Sequence, residues 1–353
     1  METSSVVPSS THPAVAAESV RASSFDASRF YDGRRVLVTG GLGFIGSNIA
    51  RRLVDLNARV CVVDALTPNS GANRFNLSDY SKRLELRVGS IADPDTTQKL
   101  VRDQDVIFNL AGNVSHLDSM QAPLVDLEAN VRSQMVLLEA CRFHAPNARI
   151  VFASTRQIYG RPSYLPVDEE HPLLPVDVNG VNKMAGEAYH TLYQRVYGLS
   201  AVPLRLTNVF GPRMRIKDAR LTFLGIWLRR VVEDEEFEIW GGEQKRDLTY
   251  IDDVVDAFLA AGSPEVEPGR PYNVGGGPPV TLRQLAEVLV GVAGKGSYAV
   301  KPFPVERARI DIGDYFANDA RFRAATGWQP RVSLTDGLRH SLNYYDGCLD
   351  AYI

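Results

Sequence analysis

The sequence predicts an α/β fold, a doubly wound parallel sheet with a smaller C-terminal lobe. Short apolar runs alternate with amphipathic helical stretches as far as about residue 204, the pattern of parallel strands joined by crossover helices. A glycine-rich turn links the first of those strands to the first helix, and beyond Arg205 the alternation gives way to irregular stretches with frequent proline and arginine. The expected division is a flexible tail over residues 1–30, a sheet domain over 31–204 and a lobe over 205–353 with segments returning to the main sheet.

The opening of the sheet carries the strongest signal. In "RRVLVTGGLGFIGSNIARRLVDLNARVCVVDAL" the apolar run Val36-Leu37-Val38 suits a buried parallel strand, and Gly40, Gly43 and Gly46 follow at intervals of three. Glycine lets the backbone turn tightly, approach a pyrophosphate and pack a helix on the strand, while the helix N-terminus around Phe44 and Ile45 offers free N–H groups to the phosphates. An amphipathic helix with Ile49, Leu53 and Leu56 precedes a second strand, Val60 to Val63, that ends in Asp64. An acid there accepts hydrogen bonds from the adenosine ribose and repels a 2′-phosphate, so the expected cofactor is NAD rather than NADP. Arg74 nearby points the other way. Further strands are expected at Leu84 to Val88, in "DVIFNLAG" and in "ARIVFAST", with a helix over 124–143. Ligands then collect beyond the strand ends at Gly40, Asp64, Ser90, Ala111 and Thr155.

Composition limits the alternatives. The chain has 353 residues, 44% hydrophobic and 23% charged, with a formal net charge of -3. Those values suit a soluble globular protein and argue against a nucleic-acid or membrane-surface binder. Cys61, Cys141 and Cys348 lie far apart without metal-ligand spacing, which predicts no metal site and a reduced, cytoplasmic protein. The Ser- and Ala-rich start lacks the basic end and compact apolar run of a signal peptide, and no apolar run has membrane-spanning length.

Seven segments in order resemble the extended short-chain dehydrogenase/reductase family of nucleotide-sugar epimerases and dehydratases, which are Rossmann folds. They are "TGGLGFIGSN", "NLAG", "FASTRQIYG", "NGVNKMAGE", "LRLTNVFGP", "KRDLTYIDDVVDAF" and "YNVGGG". The resemblance runs from about Arg34 to Pro330. It implies transient oxidation of a sugar hydroxyl with tightly held NAD. Thr155 would bond the reacting hydroxyl and Lys183 the nicotinamide ribose, with Ser90, Ile91 and Ala111 completing the cofactor site. A tyrosine four residues before the lysine would be the base, and that position is Asn179. An amide can orient an oxygen but cannot take its proton, and losing a general base costs roughly 10²–10⁴ in rate.

If the reaction proceeds, another group takes the proton. The candidates are Tyr159, Tyr164, Lys183, and His116 with Asp118 in "NVSHLDSMQAP", a segment resembling the substrate-facing loop of sugar dehydratases, which also makes Ser115 a candidate contact. Histidine titrates near neutrality, which suits proton transfer. Family dehydratases carry Asp-Glu after the threonine; here the pair is Arg156-Gln157, which disfavours water loss by the usual route and makes Arg156 a candidate partner for a substrate anion. Ser90 or Asp93 would replace an aspartate that commonly faces the adenine.

In the lobe, Asn208 and Arg246 are expected to contact a diphosphate, the arginine through a bidentate fork. Arg213, Arg215, Lys217 and Arg220 form a second basic run, and Arg307 and Arg309 a third spot where relatives hold the nucleotide. The helices near 124–143 and 178–197 have apolar faces, with Val131, Met135 and Leu138 on one and Met184, Tyr189, Leu192 and Val196 on the other; the resemblance implies that they pair across a homodimer. The expected function is an NAD-dependent nucleotide-sugar epimerase with a non-standard base. A dehydratase or lyase with an altered acid–base set, and a non-catalytic NAD and nucleotide-sugar binder, stay open.

Overall fold

The structure is a computed structural model that describes residues 25–68, 70–218, 222–275, 277–304 and 311–353. Most of the expected tail lies outside the described residues. Its end does not run free: Ala27–Tyr31 is helical, capped by Asp26, because Phe25 and Phe30 pack edge-on against Tyr31 and the buried Tyr31 hydroxyl donates to the Leu259 carbonyl.

Five strands appear where the apolar runs predict them: β1 (Arg35–Thr39), β2 (Arg59–Asp64), β3 (Glu85–Val88), β4 (Val106–Asn109) and β5 (Arg149–Thr155); a sixth, β6 (Ser200–Leu206), is not among the expected runs. They are followed by β7 (Asn208–Phe210), β8 (Glu236–Trp240), β9 (Lys245–Arg246), β10 (Leu248–Tyr250), β11 (Tyr272–Val274), β12 (Val280–Thr281) and β13 (Ser297–Lys301). The main sheet has the order β11-β6-β5-β4-β1-β2-β3 and is parallel throughout. β1, β4 and β5 are buried nearly end to end, as strands covered by helices on both faces must be. The strand order reverses between β1 and β4, which opens a crevice above their C-terminal ends. Thr39 holds that point: its hydroxyl donates to Asn109 Oδ1 at 2.9 Å and accepts from the backbone N–H of Leu110 and Ala111 at 3.1 Å each.

Three small sheets, β7 with β10, β8 with β13 and β9 with β12, build the rest. β11 joins the main sheet beside β6, with Tyr272 opposite Leu204. The helix Ile251–Ala261 is apolar on most sides and carries the core across, with Phe258 packed edge-on to Phe108 of β4. Among the described residues no helix is long and apolar enough to cross a membrane, and the three cysteines are free.

The helix Val178–Tyr197 begins at Asp177, whose side chain accepts from the Gly180 N–H, and ends at Gly198 in the left-handed region (φ 75°), the usual helix-terminating geometry. Glu187 ties it to the sheet. Its carboxylate takes the Ser154 hydroxyl from β5 and two nitrogens of Arg205 from β6, with both charged groups almost wholly buried. Removing one member leaves the other charge unpaired in a dry interior. Glu187→Ala should therefore lower the unfolding free energy by ~3–5 kcal/mol, read from urea denaturation; a loss below ~1 kcal/mol would show that water reaches Arg205.

Candidate active site

A cleft of about 720 Å³ lies above the C-terminal edge of the sheet. Gly40, Gly43, Phe44, Ile45, Gly46, Asp64, Ser90, Ile91, Ala111, Thr155, Asn179 and Lys183 all line it, so the structure gathers every predicted cofactor residue in one place. The turn is tight where the sequence demands it. Gly40 has φ +66°, and a Cβ on Gly46 would stand 2.4 Å from the Gly40 carbonyl oxygen. No side chain caps the N-terminus of the helix Phe44–Asp55. An uncapped helix start beside a glycine cradle fits a pyrophosphate, and these residues would hold that part of NAD.

At the adenosine end both oxygens of Asp64 accept backbone N–H groups, from Leu42 at 3.0 Å and Leu66 at 2.9 Å. Burial raises its pKa and those two bonds oppose the rise. Arg74 is exposed at the start of the turn Arg74–Tyr80 and outside the cleft lining. Of the two candidates for the adenine contact, Ser90 lines the cleft, whereas Asp93 caps the helix Pro94–Val101 through the Thr96 N–H.

At the other end Thr155 closes β5, and its Oγ accepts from the Gln157 N–H at 3.3 Å. Lys183 Nζ donates to the Ala153 carbonyl at 2.9 Å. Burial depresses this amine to about 8, against the pull of Asp126 and Glu187, which favour its charged form. Gly112 beside it leaves room for Asn130, since a Cβ there would lie 2.4 Å from Asn130 Oδ1, whereas its 3.6 Å from Nζ would be ordinary contact. Asn179 is fully buried. Its Nδ2 donates to the Asn113 carbonyl at 2.8 Å and to Asp126 Oδ2 at 2.9 Å. Both Nδ2 hydrogens are thus committed to protein groups, while Oδ1 is buried without a protein partner.

Next to it lies a chain of side chains absent from the sequence reading. Asp177, the helix cap, pairs through Oδ2 with His116 Nδ1, and His116 Nε2 is 2.5 Å from the Gln157 amide nitrogen. Gln157 lines the cleft. Burial works to raise the Asp177 carboxyl, but the hydrogen bond and charge of His116 outweigh it and hold its pKa low. Neither role of Asp177 was named from the sequence: an aspartate just before a helical run is a local signal that could have found the cap, but its second partner comes from another element.

The other base candidates are accounted for elsewhere. Tyr159 is fully buried, with its hydroxyl donating to Asn273 and accepting from Arg205. The Tyr164 hydroxyl donates to Asp168 at 2.7 Å, which pushes its pKa up to about 12. Asp118 is exposed in the first turn of His116–Gln121, and buried Ser115 caps that turn through the Asp118 N–H, so its hydroxyl is committed there.

Arg156, Asn208 and Arg246 are brought together beside the cleft. Arg156 donates to Asn208 Oδ1 at 3.1 Å and lies over the Tyr315 ring. Arg246 differs from the expected open fork: it is buried, donates to the carbonyls of Lys245 and Gly313, and sits 3.8 Å from Asp311. Burial and the nearby Arg156 lower it to about 10. Beside them Asp247 Oδ1 and the Tyr315 hydroxyl are buried without a protein partner, and burial raises Asp247 to about 6. Arg215 lines the cleft and donates to the Ser70 carbonyl at 3.1 Å, while Arg213 donates to Asn48 Oδ1. Arg220, Arg307 and Arg309 lie outside the described residues.

Comparison with known proteins agrees with this geometry. Residues 36–275 match the NAD dependent epimerase/dehydratase family. The chain is 32% identical over 315 residues to a putative UDP-glucose 4-epimerase of Methanocaldococcus jannaschii, covering 88% of this chain and 97% of that protein. It is 29% identical over 324 residues to a dTDP-glucose 4,6-dehydratase of Streptomyces niveus, covering 88% and 92%. A UDP-glucose 4-epimerase of Thermotoga maritima, solved with UDP-glucose, superposes with a TM-score of 0.81 at 30% identity over 89% of this chain and 99% of that one. A Thermus thermophilus UDP-glucose 4-epimerase solved with NAD gives 0.78 at 29% identity, with the same coverage. With its cofactor cradle intact, the chain belongs to the NAD-dependent epimerase/dehydratase family of enzymes, and NAD is its cofactor.

Proposed function

We propose that this protein is a nucleotide-sugar epimerase that oxidises one sugar hydroxyl transiently, with His116 taking the proton that a tyrosine would otherwise take. One observation carries the reading: the chain Asp177–His116–Gln157 reaches the cleft wall, while Asn179, although it borders the cleft, has its amide nitrogen spent on Asn113 and Asp126 and has no proton-accepting chemistry to offer. The relatives that are UDP-glucose 4-epimerases support a sugar linked to a nucleoside diphosphate as substrate.

Bound NAD supplies the acceptor, and later the donor, of the hydride at the reacting carbon. The chain's own residues manage the hydroxyl. Thr155 at the end of β5 holds its oxygen by a hydrogen bond. His116 receives its proton at Nε2, at the lone pair now met by the Gln157 amide, and returns it when the carbonyl is reduced from its other face. Asp177 holds the Nδ1 side of the ring, which leaves Nε2 as the accepting nitrogen and would stabilise the imidazolium once formed. Lys183 faces the same end of the cleft and would bond the nicotinamide ribose. Arg156 and Gln157 do not offer the acid and base needed to expel water, and each is already engaged, one with Asn208 and one with His116.

The sugar would lie between the sheet domain over 31–204 and the lobe over 205–353, with Arg156, Asn208 and Arg246 toward the diphosphate. Met135 and Phe143 on Ser133–His144, and Leu192, Val196 and Tyr197 on Val178–Tyr197, are exposed apolar side chains; they support pairing of these helices with a second copy. Three free cysteines suit a reducing, cytoplasmic setting.

Absorbance of reduced nicotinamide, followed after mixing NAD-loaded protein with UDP-, dTDP-, GDP- and CDP-linked sugars, tests the reaction. A transient rise and an epimer of unchanged mass are expected with one of them. Binding without reduction or product would leave a binding protein. His116→Gln should lower kcat by roughly 10²–10⁴ with little change in KM; full activity would exclude His116 as the acceptor.

Lys183 supplies a pH test on the cofactor-free protein. Its folded value of about 8 lies below the ordinary 10.5, so between them the unfolded chain holds a proton that the folded chain has released. Its contribution to stability therefore rises with pH across that window, by at most ~1.4 kcal/mol per unit. The unfolding free energy of the native protein should gain on that of Lys183→Met from pH 8 to 10; a constant difference would mean that the amine stays protonated.

A further inference from the structure

Asn179 is joined to the segment carrying His116 on both sides of that histidine. Before it, Asn113 offers its carbonyl to Asn179 Nδ2 at 2.8 Å. After it, the Asn179 backbone N–H donates to Ser119 Oγ at 3.2 Å, and that hydroxyl donates on to the His116 carbonyl at 2.7 Å. Two residues back along the chain, Asp177 takes the imidazole itself. One turn of the helix thus supplies the partner of the ring and the supports of the backbone that bears it.

The orientation of the Asn179 amide follows from its neighbours. Both groups facing Nδ2 are oxygen acceptors, a backbone carbonyl and the Asp126 carboxylate, so the nitrogen and not the oxygen must point at them. Asp126 is itself almost wholly buried and is met by three amides: Asn179 on Oδ2 at 2.9 Å, and Asn182 at 2.8 Å and Asn130 at 3.1 Å on Oδ1. Asn130 also grips Asn113 twice, accepting its N–H and donating to its carbonyl, each at 3.1 Å. A buried carboxylate with such partners is satisfied without a direct cation, and loses much of that support when one amide is removed.

We infer that Asn179 is a positioning residue: with Asn130, Asn182 and Asp126 it clamps segment 113–126 to the start of the helix Val178–Tyr197 and sets His116 between Asp177 and Gln157. The position that bears the base in relatives here holds the support of a base on a neighbouring loop. This rests on reading His116 as the proton acceptor, and it deepens that reading by assigning a role to the residue that first put catalysis in question.

The test uses the NAD-loaded full chain and reads kcat, KM, NAD affinity by nicotinamide fluorescence, and the low-field proton resonance of His116 Nδ1–H, assigned by its loss in His116→Gln. Asn179→Ala should lower kcat by ~10–100-fold, the scale of a misplaced catalytic group, and shift or broaden that resonance, with KM and NAD affinity held within about three-fold. Ser119→Ala removes a single hydroxyl from the second support and should move kcat and the resonance in the same direction with the fold retained and Tm lowered by only a few degrees, so the inference remains testable if Asn179→Ala fails to fold. Asn179→Tyr should also reduce activity. An unaltered resonance and kcat in both alanine variants would overturn the inference, as would a gain in kcat from the tyrosine. If His116→Gln keeps full kcat while Asn179→Ala disturbs the resonance, the proton-acceptor reading fails and the clamp stands as geometry alone.

Discussion

The seating of the helix Val178–Tyr197 on β5 and β6 determines the geometry at the catalytic end of the cleft. The tie is one buried carboxylate, Glu187, shared between Ser154 and Arg205. A buried ion pair adds little net stability over a well-packed apolar contact, but it tolerates few alternative placements. That intolerance suits a helix whose first turns carry the cap Asp177, the amide Asn179 and the amine Lys183. A shift of the helix along the sheet would break the pairing of Glu187 before it relaxed any of the three.

Around this helix the protein manages buried charge in two different ways. Arg205 and Glu187 neutralise each other directly. Asp126 and Lys183 make no direct pair: the carboxylate is satisfied by amides and the amine donates to a carbonyl. The two still interact through a medium of low dielectric, and Asp126 favours the charged lysine while burial disfavours it. The lysine is left near its titration point, suited to hydrogen-bonding a cofactor ribose in either protonation state. Asp177 is different again, since its histidine partner is itself ionisable and partly exposed.

Much of the cofactor half could be read directly from the chain. The glycines at 40, 43 and 46, the apolar strand before them and Asp64 at the end of the next strand each express a local steric or hydrogen-bonding need. Such needs depend on neighbours in sequence, and the structure puts the three glycines and Asp64 in one cleft. The substrate half was less legible. Arg246 and Tyr159 invited functional readings by residue type, yet the first is spent on backbone carbonyls and the second on Arg205 and Asn273. Long polar side chains reach several ångströms from the backbone, and their targets come from segments as far as 114 residues away.

Asn179 marks the division most clearly. The sequence by itself determined that the tyrosine was missing, that no amide could replace it as a base, and that the cofactor cradle and Lys183 were retained. Only the tertiary structure decided where the amide points, because its two acceptors, Asn113 and Asp126, lie more than fifty positions earlier on a different segment. It likewise decided that Asp177, which caps the helix, also holds His116. Local pattern reports what a residue can do; the partner that takes up that capacity is chosen by which distant segments the packed sheet brings within hydrogen-bonding reach.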